Sequence, residues 1–197
     1  TGILEMPNAR LMKEGSMKIG FSSSYPNEYT YISATPFSWL EASYKYTEQK
    51  NLLYGAFYYS GNQTLKDKGF DLKVRLFKES YFLPEIAVGW NDLAGTGRFS
   101  AEYISATKRI KNADITIGYG WGALGQNQNV RNPLLSVSED FRYREVTPGQ
   151  GGAFNSKTWF SGEEISIFSG IEYYVQKYGL VLKVEYDTSN PDLGYSG

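Results

Sequence analysis

The sequence predicts an all-β protein whose antiparallel strands run up and down and form a transmembrane β-barrel. Apolar and polar residues alternate in repeated runs, of which FDLKVRLFKES at 70–80 is the clearest. Such alternation gives a strand one apolar and one polar face. Several runs reach roughly 9–11 residues, the length of a membrane-crossing strand. We count roughly nine strands, and no segment has the roughly 3.6-residue period of an amphipathic helix.

The strands follow from these runs in chain order. The phase of 99–110 is ambiguous, because both of its faces mix polar and apolar residues. Short turns are predicted at 25–27, 95–97, 111–112 and 177–179, and the glycines of GYGWG at 118–122 predict close approach of a side chain or an inserted loop. The alternating runs lie at 17–22, 29–35, 39–48, 70–80, 84–92, 99–110, 113–122, 164–175 and 180–187.

The connections between strands differ in length in the way that is typical of a membrane barrel. Turns such as 111–112 are short, whereas 123–163 is a long stretch rich in Gly, Asn and Gln. Short turns at one end and long loops at the other are the pattern of outer-membrane barrels. We therefore divide the chain into a lead-in segment at 1–15 and the N-terminal part of a β-barrel at 16–197. Within the lead-in, MPNAR at 6–10 is either a short plug or docking segment or an ordinary turn.

The charged residues in the polar phase are predicted to face a water-filled lumen. On the lipid side of a barrel, a charge at mid-membrane costs about 2–4 kcal/mol, so the phase is strongly determined. Inside the lumen, opposite charges on neighbouring strands can pair. The predicted lumen-facing residues are Glu41, Lys45, Asp71, Lys73, Arg75, Glu85, Lys183 and Glu185.

A secreted soluble β-sandwich that binds carbohydrate through exposed aromatic residues is the alternative. Alternation is normal in any antiparallel sheet with one solvated face. Three features favour the barrel: the polar phase mixes charges with Gly and Ser, aromatic residues gather at strand ends, and short hairpins give a meander. The pattern alone does not exclude the sandwich.

The composition excludes several classes of function. The chain of 197 residues has 20 Lys and Arg against 21 Asp and Glu, which lacks the basic excess that nucleic-acid binding requires. It contains neither His nor Cys, so the common catalytic dyads and metal ligands are missing. We expect no metal, no cofactor and no enzymatic activity. A barrel-embedded enzyme acting on polysaccharide or lipid is a third hypothesis, but the adjacent Glu163 and Glu164 would point to opposite faces of a strand.

The 123–163 loop is the candidate contact surface for a polymer. Guanidinium groups pair with sugar carboxylates, and aromatic rings stack on sugar faces, so the loop would suit an acidic sugar chain. The other interpretation is a solvated or folded-in loop that plugs, shields or gates the barrel. The candidate polymer-binding residues are Arg131, Arg142, Tyr143, Arg144, Lys157, Trp159 and Phe160.

Several stretches go beyond pattern and resemble the YjbH family, which is similar to the GfcD proteins of group 4 capsule. They include GILEMPNARLMKEG at 2–15, TPFSWLEASYKYTE at 35–48, GNQTLKDKGFDLKVRLFKES at 61–80, LPEIAVGWNDLAGTGRFSAEYISATKRI at 83–110, GGAFNSKTWFSG at 151–162 and GIEYYVQKYGLVLKVEYD at 170–187. The resemblance covers nearly the whole chain in the family's order.

The resemblance implies a non-catalytic protein of the bacterial outer membrane that takes part in export or assembly of an extracellular or capsular polysaccharide. Its expected partners are outer-membrane lipid, the polysaccharide and other proteins of the export machinery. Family members are several times longer, so we expect this chain to be the N-terminal part of a larger barrel. They are often lipoproteins, an anchor that this chain, with no Cys at its start, does not support.

Overall fold

The computed structural model describes residues 2–93, 97, 99–145 and 156–189. Within them, ten β-strands belong to one antiparallel sheet. A single helical turn, α1 (Phe57–Ser60), which the sequence did not predict, lies between the third and fourth strands. The strands are β1 (Met17–Ser24), β2 (Asn27–Phe37), β3 (Leu40–Leu53), β4 (Thr64–Phe77), β5 (Glu85–Asn91), β6 (Ala101–Ile110), β7 (Ala113–Gly122), β8 (Val130–Arg131), β9 (Glu164–Val175) and β10 (Leu180–Tyr186).

The sheet is a meander, in which each long strand pairs with the next long strand along the chain. The order is β1-β2-β3-β4-β5-β6-β7-β9-β10, and the two-residue β8 pairs only with β9. The predicted all-β, antiparallel, up-and-down fold is confirmed, and its nine long strands match the number expected. The turns at 25–27, 111–112 and 177–179 are confirmed, while the turn predicted at 95–97 falls mainly outside the described residues.

The described sheet is curled but is not closed into a barrel. Lys18 on the first strand and Lys183 on the last line the same cavity, so the two edges approach each other. The backbone of β1 nevertheless pairs only with β2, and that of β10 only with β9. Closure needs ladder hydrogen bonds between the edges, and the described residues form none, so their sheet is open. The prediction that the chain is part of a membrane barrel stays a prediction.

The two ends of the sheet differ in the length of their connections. At one end, which we call the turn end, strands are joined by 38–39, 78–84, 111–112 and 176–179. At the other, the loop end, the connections are the tight 25–26 and the longer 54–63, 92–100 and 123–163. Residues 146–155 of the last connection are outside the described residues.

The two faces of the sheet carry opposite polarity. The inner face is defined as the one on which Lys73 (4 % exposed), Thr107 and Thr116 are buried. The outer face carries exposed apolar side chains, including Ile117 (57 %) and Val184 (71 %). A soluble protein shows the reverse arrangement, with apolar residues inside.

The outer apolar face is continuous across the strands. Ile115 pairs with Ile171, and Ile171 pairs with Val184, so three strands present apolar side chains side by side. Ile32 lies between Ile19 and Tyr44 in the same way on the other half of the sheet. Within the described residues, no helix combines the length and apolar composition needed to cross a bilayer.

Glycines in the sheet make room for large neighbours, as the GYGWG stretch predicted. A Cβ on Gly118 would lie 2.3 Å from the ring of Phe168 and 2.7 Å from the Ile104 carbonyl oxygen. A Cβ on Gly120 would lie 2.7 Å from the backbone oxygen of Leu124, in the connection that follows β7. Both a side chain and a loop therefore approach the wall at these positions.

We expect Gly118→Ala to lower the free energy of unfolding by about 1–3 kcal/mol, because the added methyl overpacks a site bounded by backbone. Gly55→Ala is the control, since its Cβ would meet nothing closer than 3.5 Å. Chemical unfolding of both variants in detergent micelles measures the difference. Equal stability of the two variants would contradict the close packing at Gly118.

Candidate functional site on the inner face

The N-terminal segment, residues 2–14, lies across the inner face of the sheet. The backbone N–H groups of Leu4, Glu5 and Met6 all donate to the carboxylate of Glu185, at 2.9, 2.9 and 3.2 Å. Successive N–H groups around one anion form a compact binding turn. One strand residue therefore holds the start of the segment.

Arg10 is the centre of the segment's contacts. Its guanidinium lies 2.7 Å from Glu79 in the 78–84 connection, 2.8 Å from Glu85 in β5 and 2.7 Å from Asp114 in β7. Burial opposes the charge of Arg10, but the hydrogen bonds that Arg10 donates to Asp114, Glu85 and Glu79 raise its pKa above the ordinary value. For Glu79, burial alone would raise the pKa, and the N–H of Arg109 together with Arg10 holds it below the ordinary value.

Further hydrogen bonds tie the segment to the sheet along its length. Both side chains and backbone groups take part, so the segment is fixed in register rather than merely collapsed onto the face. Asn8 Nδ2 donates to Glu172 (2.9 Å), Ala9 N to Thr107 (2.9 Å), Met12 N to Glu41 (3.1 Å), Lys73 Nζ to the Arg10 carbonyl (3.2 Å) and Lys183 Nζ to the Ile3 carbonyl (2.8 Å). Ile3 N donates to the Met6 carbonyl in a turn that leads into MPNAR, and MPNAR itself contacts the sheet through Asn8, Ala9 and Arg10. Its role as a plug or docking segment stays a prediction.

All eight charged residues that the sequence placed in a lumen lie on the inner face. Most pair across neighbouring strands, and Glu185 holds the N-terminal segment. The pairs are Lys45–Asp71 (3.2 Å), Lys73–Glu41 (4.0 Å), Arg75–Glu85 (2.6 Å) and Lys183–Glu172 (2.9 Å).

Sequence reasoning missed four partners in this network: Arg10, Glu79, Asp114 and Glu172. Asp114 and Glu172 stand in the polar phase of their strands, and that phase could have indicated them. Arg10 precedes the first strand and carries no local pattern. Only the fold brings it to Glu85 and Asp114.

We expect Arg10→Gln to lower the free energy of unfolding by about 1.5–3 kcal/mol, because it removes charged hydrogen bonds to three partly buried carboxylates. Each carboxylate keeps one other cation, Lys108, Arg75 or Arg109, so the loss stays below that of a fully unpaired buried charge. Arg142→Gln is the matched control, since Arg142 pairs with the exposed Glu139 and Glu163 and exposed pairs contribute about 0–1 kcal/mol. Denaturant titration in micelles compares the two. Equal losses would show that Arg10 does not hold the segment in place.

The long loop folds back onto the outer face at the loop end. Trp159 and Phe160 pack against Trp90, with ring centroids 5.4 and 5.8 Å apart, and Phe160 also meets Trp121 at 5.2 Å. Trp90 shares the strand phase of the outward Val88. These rings of the loop therefore shield the outer rim of the sheet, whereas Leu124, at the start of the loop, is buried on the inner side with Met6 and Phe168.

The predicted polymer-binding cations of this loop differ in their surroundings. Arg144 makes a bidentate pair with the buried Glu102, at 2.6 and 3.0 Å. Arg142 pairs with Glu139 and Glu163. The candidates exposed to solvent are Arg131, Tyr143 and Lys157. An acidic polymer would have to compete with internal carboxylates for Arg142 and Arg144.

A cavity of about 240 Å³ opens at the loop end, beside the N-terminal segment. One cation, Lys45, stands against five carboxylates in its wall, while amide side chains and rings complete the lining. The carboxylates are those of Glu5, Asp67, Asp71, Asp92 and Asp187. The described residues contain no group of acidic side chains arranged to hold a metal ion.

Asp92 is the most perturbed acid of this cavity. It follows β5 with a φ of 54°, and its Oδ2 accepts a hydrogen bond from Phe99 N at 3.2 Å. Its Oδ1 is buried and has no donor among the described residues. Burial first, and then the nearby charges of Asp67 and Asp71, raise the pKa of Asp92 to about 7.

The raised pKa predicts a pH-dependent stability. Between pH 3.8 and about 7, folded Asp92 keeps a proton that the unfolded chain has released, so stability falls as pH rises through this window. Asp92→Asn removes the effect. We expect this variant to match the wild type at acid pH and to exceed it above pH 7 by on the order of 3 kcal/mol.

Unfolding midpoints measured over the pH range test this expectation. Asp140→Asn, a change of the same type at an exposed loop residue, should show no pH-dependent difference. A constant offset between wild type and Asp92→Asn at all pH values would contradict the shift.

Comparison with known proteins agrees with the resemblance read from the sequence. The family model of YjbH, described as exopolysaccharide biosynthesis protein YbjH, matches residues 1–192. The chain belongs to the YjbH family. It is 41 % identical, over 199 aligned residues, to the uncharacterized lipoprotein YjbH of Escherichia coli strain K12.

The match covers 100 % of this chain but 28 % of that family member. The chain thus spans little more than a quarter of the length of this YjbH relative. No solved structure matches the chain. The name of the relative describes a lipoprotein, which is consistent with a location in the cell envelope.

Proposed function

We propose that the chain is part of the wall of an outer-membrane β-barrel that serves export or assembly of an exopolysaccharide without catalysing a reaction. The family supports a role in exopolysaccharide production. The observation that carries the membrane part of the proposal is the inverted polarity of the sheet. Most side chains that face outward along the strands are apolar and exposed, and most charged side chains that face inward are buried or half-buried.

The free energy of this arrangement favours lipid over water. Burying an exposed apolar residue of the size of Ile or Val contributes about 1.5–3 kcal/mol, and outward residues of this kind recur across strands such as β7, β9 and β10. A soluble sandwich would cover them with a second sheet. The described strands form one sheet without such a layer.

Aromatic residues mark both ends of the outer face. At the turn end, Phe37 and Trp39 stack with ring centroids 5.5 Å apart, and Tyr81 meets Phe82 edge-on at 4.8 Å. All four rings are exposed. At the loop end, Tyr25, Phe57 and Tyr58 are exposed in the connections. Rings in two belts are typical of proteins anchored at both bilayer interfaces.

The inner face supports a role in handling polymer rather than free passage of it. The N-terminal segment occupies the middle of this face and is tied down by Arg10 and Glu185. Water and sugar hydroxyls can reach the polar cavity at the loop end, beside that segment. The described wall therefore favours guiding or organising a polymer at one mouth over an open channel.

Ile117→Arg separates a lipid-facing wall from a water-facing one. In a bilayer, we expect this change to lower folding stability by about 2–4 kcal/mol, because the charge enters hydrocarbon. The control is Val137→Arg, at an exposed apolar residue (76 %) of the long loop, which should change stability by less than about 0.5 kcal/mol.

Folding titrations of both variants in phospholipid vesicles give the measurement. If Ile117→Arg folds as stably as Val137→Arg and the protein needs neither lipid nor detergent, the membrane proposal is wrong. The soluble carbohydrate-binding domain would then replace it.

A further inference from the structure

The loop-end cavity is lined by rings and amides, as sugar sites are, but its charge is negative, as in sites that bind cations. Its five carboxylates face the single amine of Lys45, which is already paired with Asp71 at 3.2 Å. Burial first, and then Asp187 and Glu185, raise the pKa of Glu5, which shows how closely the acids are crowded. A uronic acid or a phosphate would be repelled here.

Unpartnered acceptors in the wall point to a ligand that donates hydrogen bonds. The Oδ1 atoms of Asp92 and Asn27 are buried and have no donor among the described residues. The whole of Asp92 is only 6 % exposed. A buried acceptor without a donor is unfavourable, and a ligand with N–H or O–H groups would satisfy it.

Rings and amides complete the features that a sugar residue requires. Tyr25, Tyr29 and Phe99 line the cavity, as do the amides of Asn91 and Gln126. An aromatic face takes the apolar face of a pyranose, and amide groups bind its hydroxyls in pairs. The volume of about 240 Å³ lies below the roughly 300–1,000 Å³ of pockets for drug-sized ligands, which suits one sugar unit.

We propose that this cavity binds an amino sugar with a free, protonated amine, as one unit of a polymer at the mouth of the sheet. The amine lies among the carboxylates around Asp92, and the ring lies against the aromatic side chains. The inference rests on the proposed role in exopolysaccharide handling and deepens it, because it names a cationic rather than an acidic sugar. It also moves the polymer site from the arginines of the long loop to the cavity beside the N-terminal segment.

Calorimetric titration of the detergent-solubilised protein with short glucosamine oligomers tests the proposal. At a pH where the sugar amine is protonated, we expect glucosamine oligomers to bind roughly tenfold more tightly than N-acetylglucosamine oligomers of equal length. Oligogalacturonate should not bind, and added salt should weaken binding of the glucosamine oligomer. Equal or tighter binding of oligogalacturonate would overturn the proposal.

Two further comparisons decide between a sugar site and simple attraction of cations. Spermidine carries amines without a sugar ring, and binding as tight as that of glucosamine oligomers would overturn the sugar part. Near pH 7, where a pKa of about 7 leaves Asp92 partly ionised, Asp92→Asn should weaken glucosamine binding roughly three- to tenfold, because Asn cannot become a carboxylate beside the amine. Glu14→Gln, at an exposed residue near the turn end, should not weaken it. If Asp92→Asn does not fold, the preference of the wild type among the probes decides.

Failure of this inference and failure of the proposed function are distinguishable. If the protein shows no preference among the sugars but Ile117→Arg still destabilises it in vesicles, the assignment of the cavity is wrong and the proposed membrane wall stands. Sugar preference together with a harmless Ile117→Arg would leave a carbohydrate site in a protein that does not face lipid.

Discussion

Charges buried on one face of the sheet must be neutralised where they stand, and the rest of the structure follows from this constraint. A buried charge without a partner costs several kcal/mol. Glu79, Glu85 and Asp114 lie close to one another, and each pairs with a cation of the strands: Lys108, Arg75 and Arg109 in turn. Arg10 reaches all three carboxylates and joins these pairs into one network. The N-terminal segment is thus part of the sheet's charge balance.

The same constraint explains which parts of the fold could be predicted from the sequence. Alternation has a local cause, so FDLKVRLFKES gave correct strand phase: Phe70 is exposed and Lys73 is buried on the inner face. The short turns are equally local. The contact of Arg10 with Asp114 joins positions 104 residues apart, and no periodicity encodes it. The packing of Trp159 on Trp90 is likewise visible only when the fold brings them together.

The candidate site shifts for a related reason. Arg with neighbouring aromatic residues is a reasonable pattern for binding an acidic polymer, and the long loop displays it. In the fold, Arg144 forms an ion pair with Glu102, and the ring of Phe160 packs the loop against Trp121 of the sheet. The acids of the cavity, by contrast, are spread from Glu5 to Asp187, and sequence alone does not group them. The long loop would therefore attract an anionic polymer, whereas the cavity would attract a cationic ligand.

We propose that the exposed apolar face contacts lipid and that the charged face contacts protein and water. Single cysteines at residues 70 to 76 test it most directly, because the chain has no native Cys and this strand carries both faces. Each cysteine is labelled with a fluorophore, and the protein is placed in bilayers with brominated acyl chains. Fluorophores at 70, 72, 74 and 76 should be quenched by these chains, whereas fluorophores at 71, 73 and 75 should keep their emission. Quenching without alternation, or a protein that stays in the aqueous phase, would contradict the account.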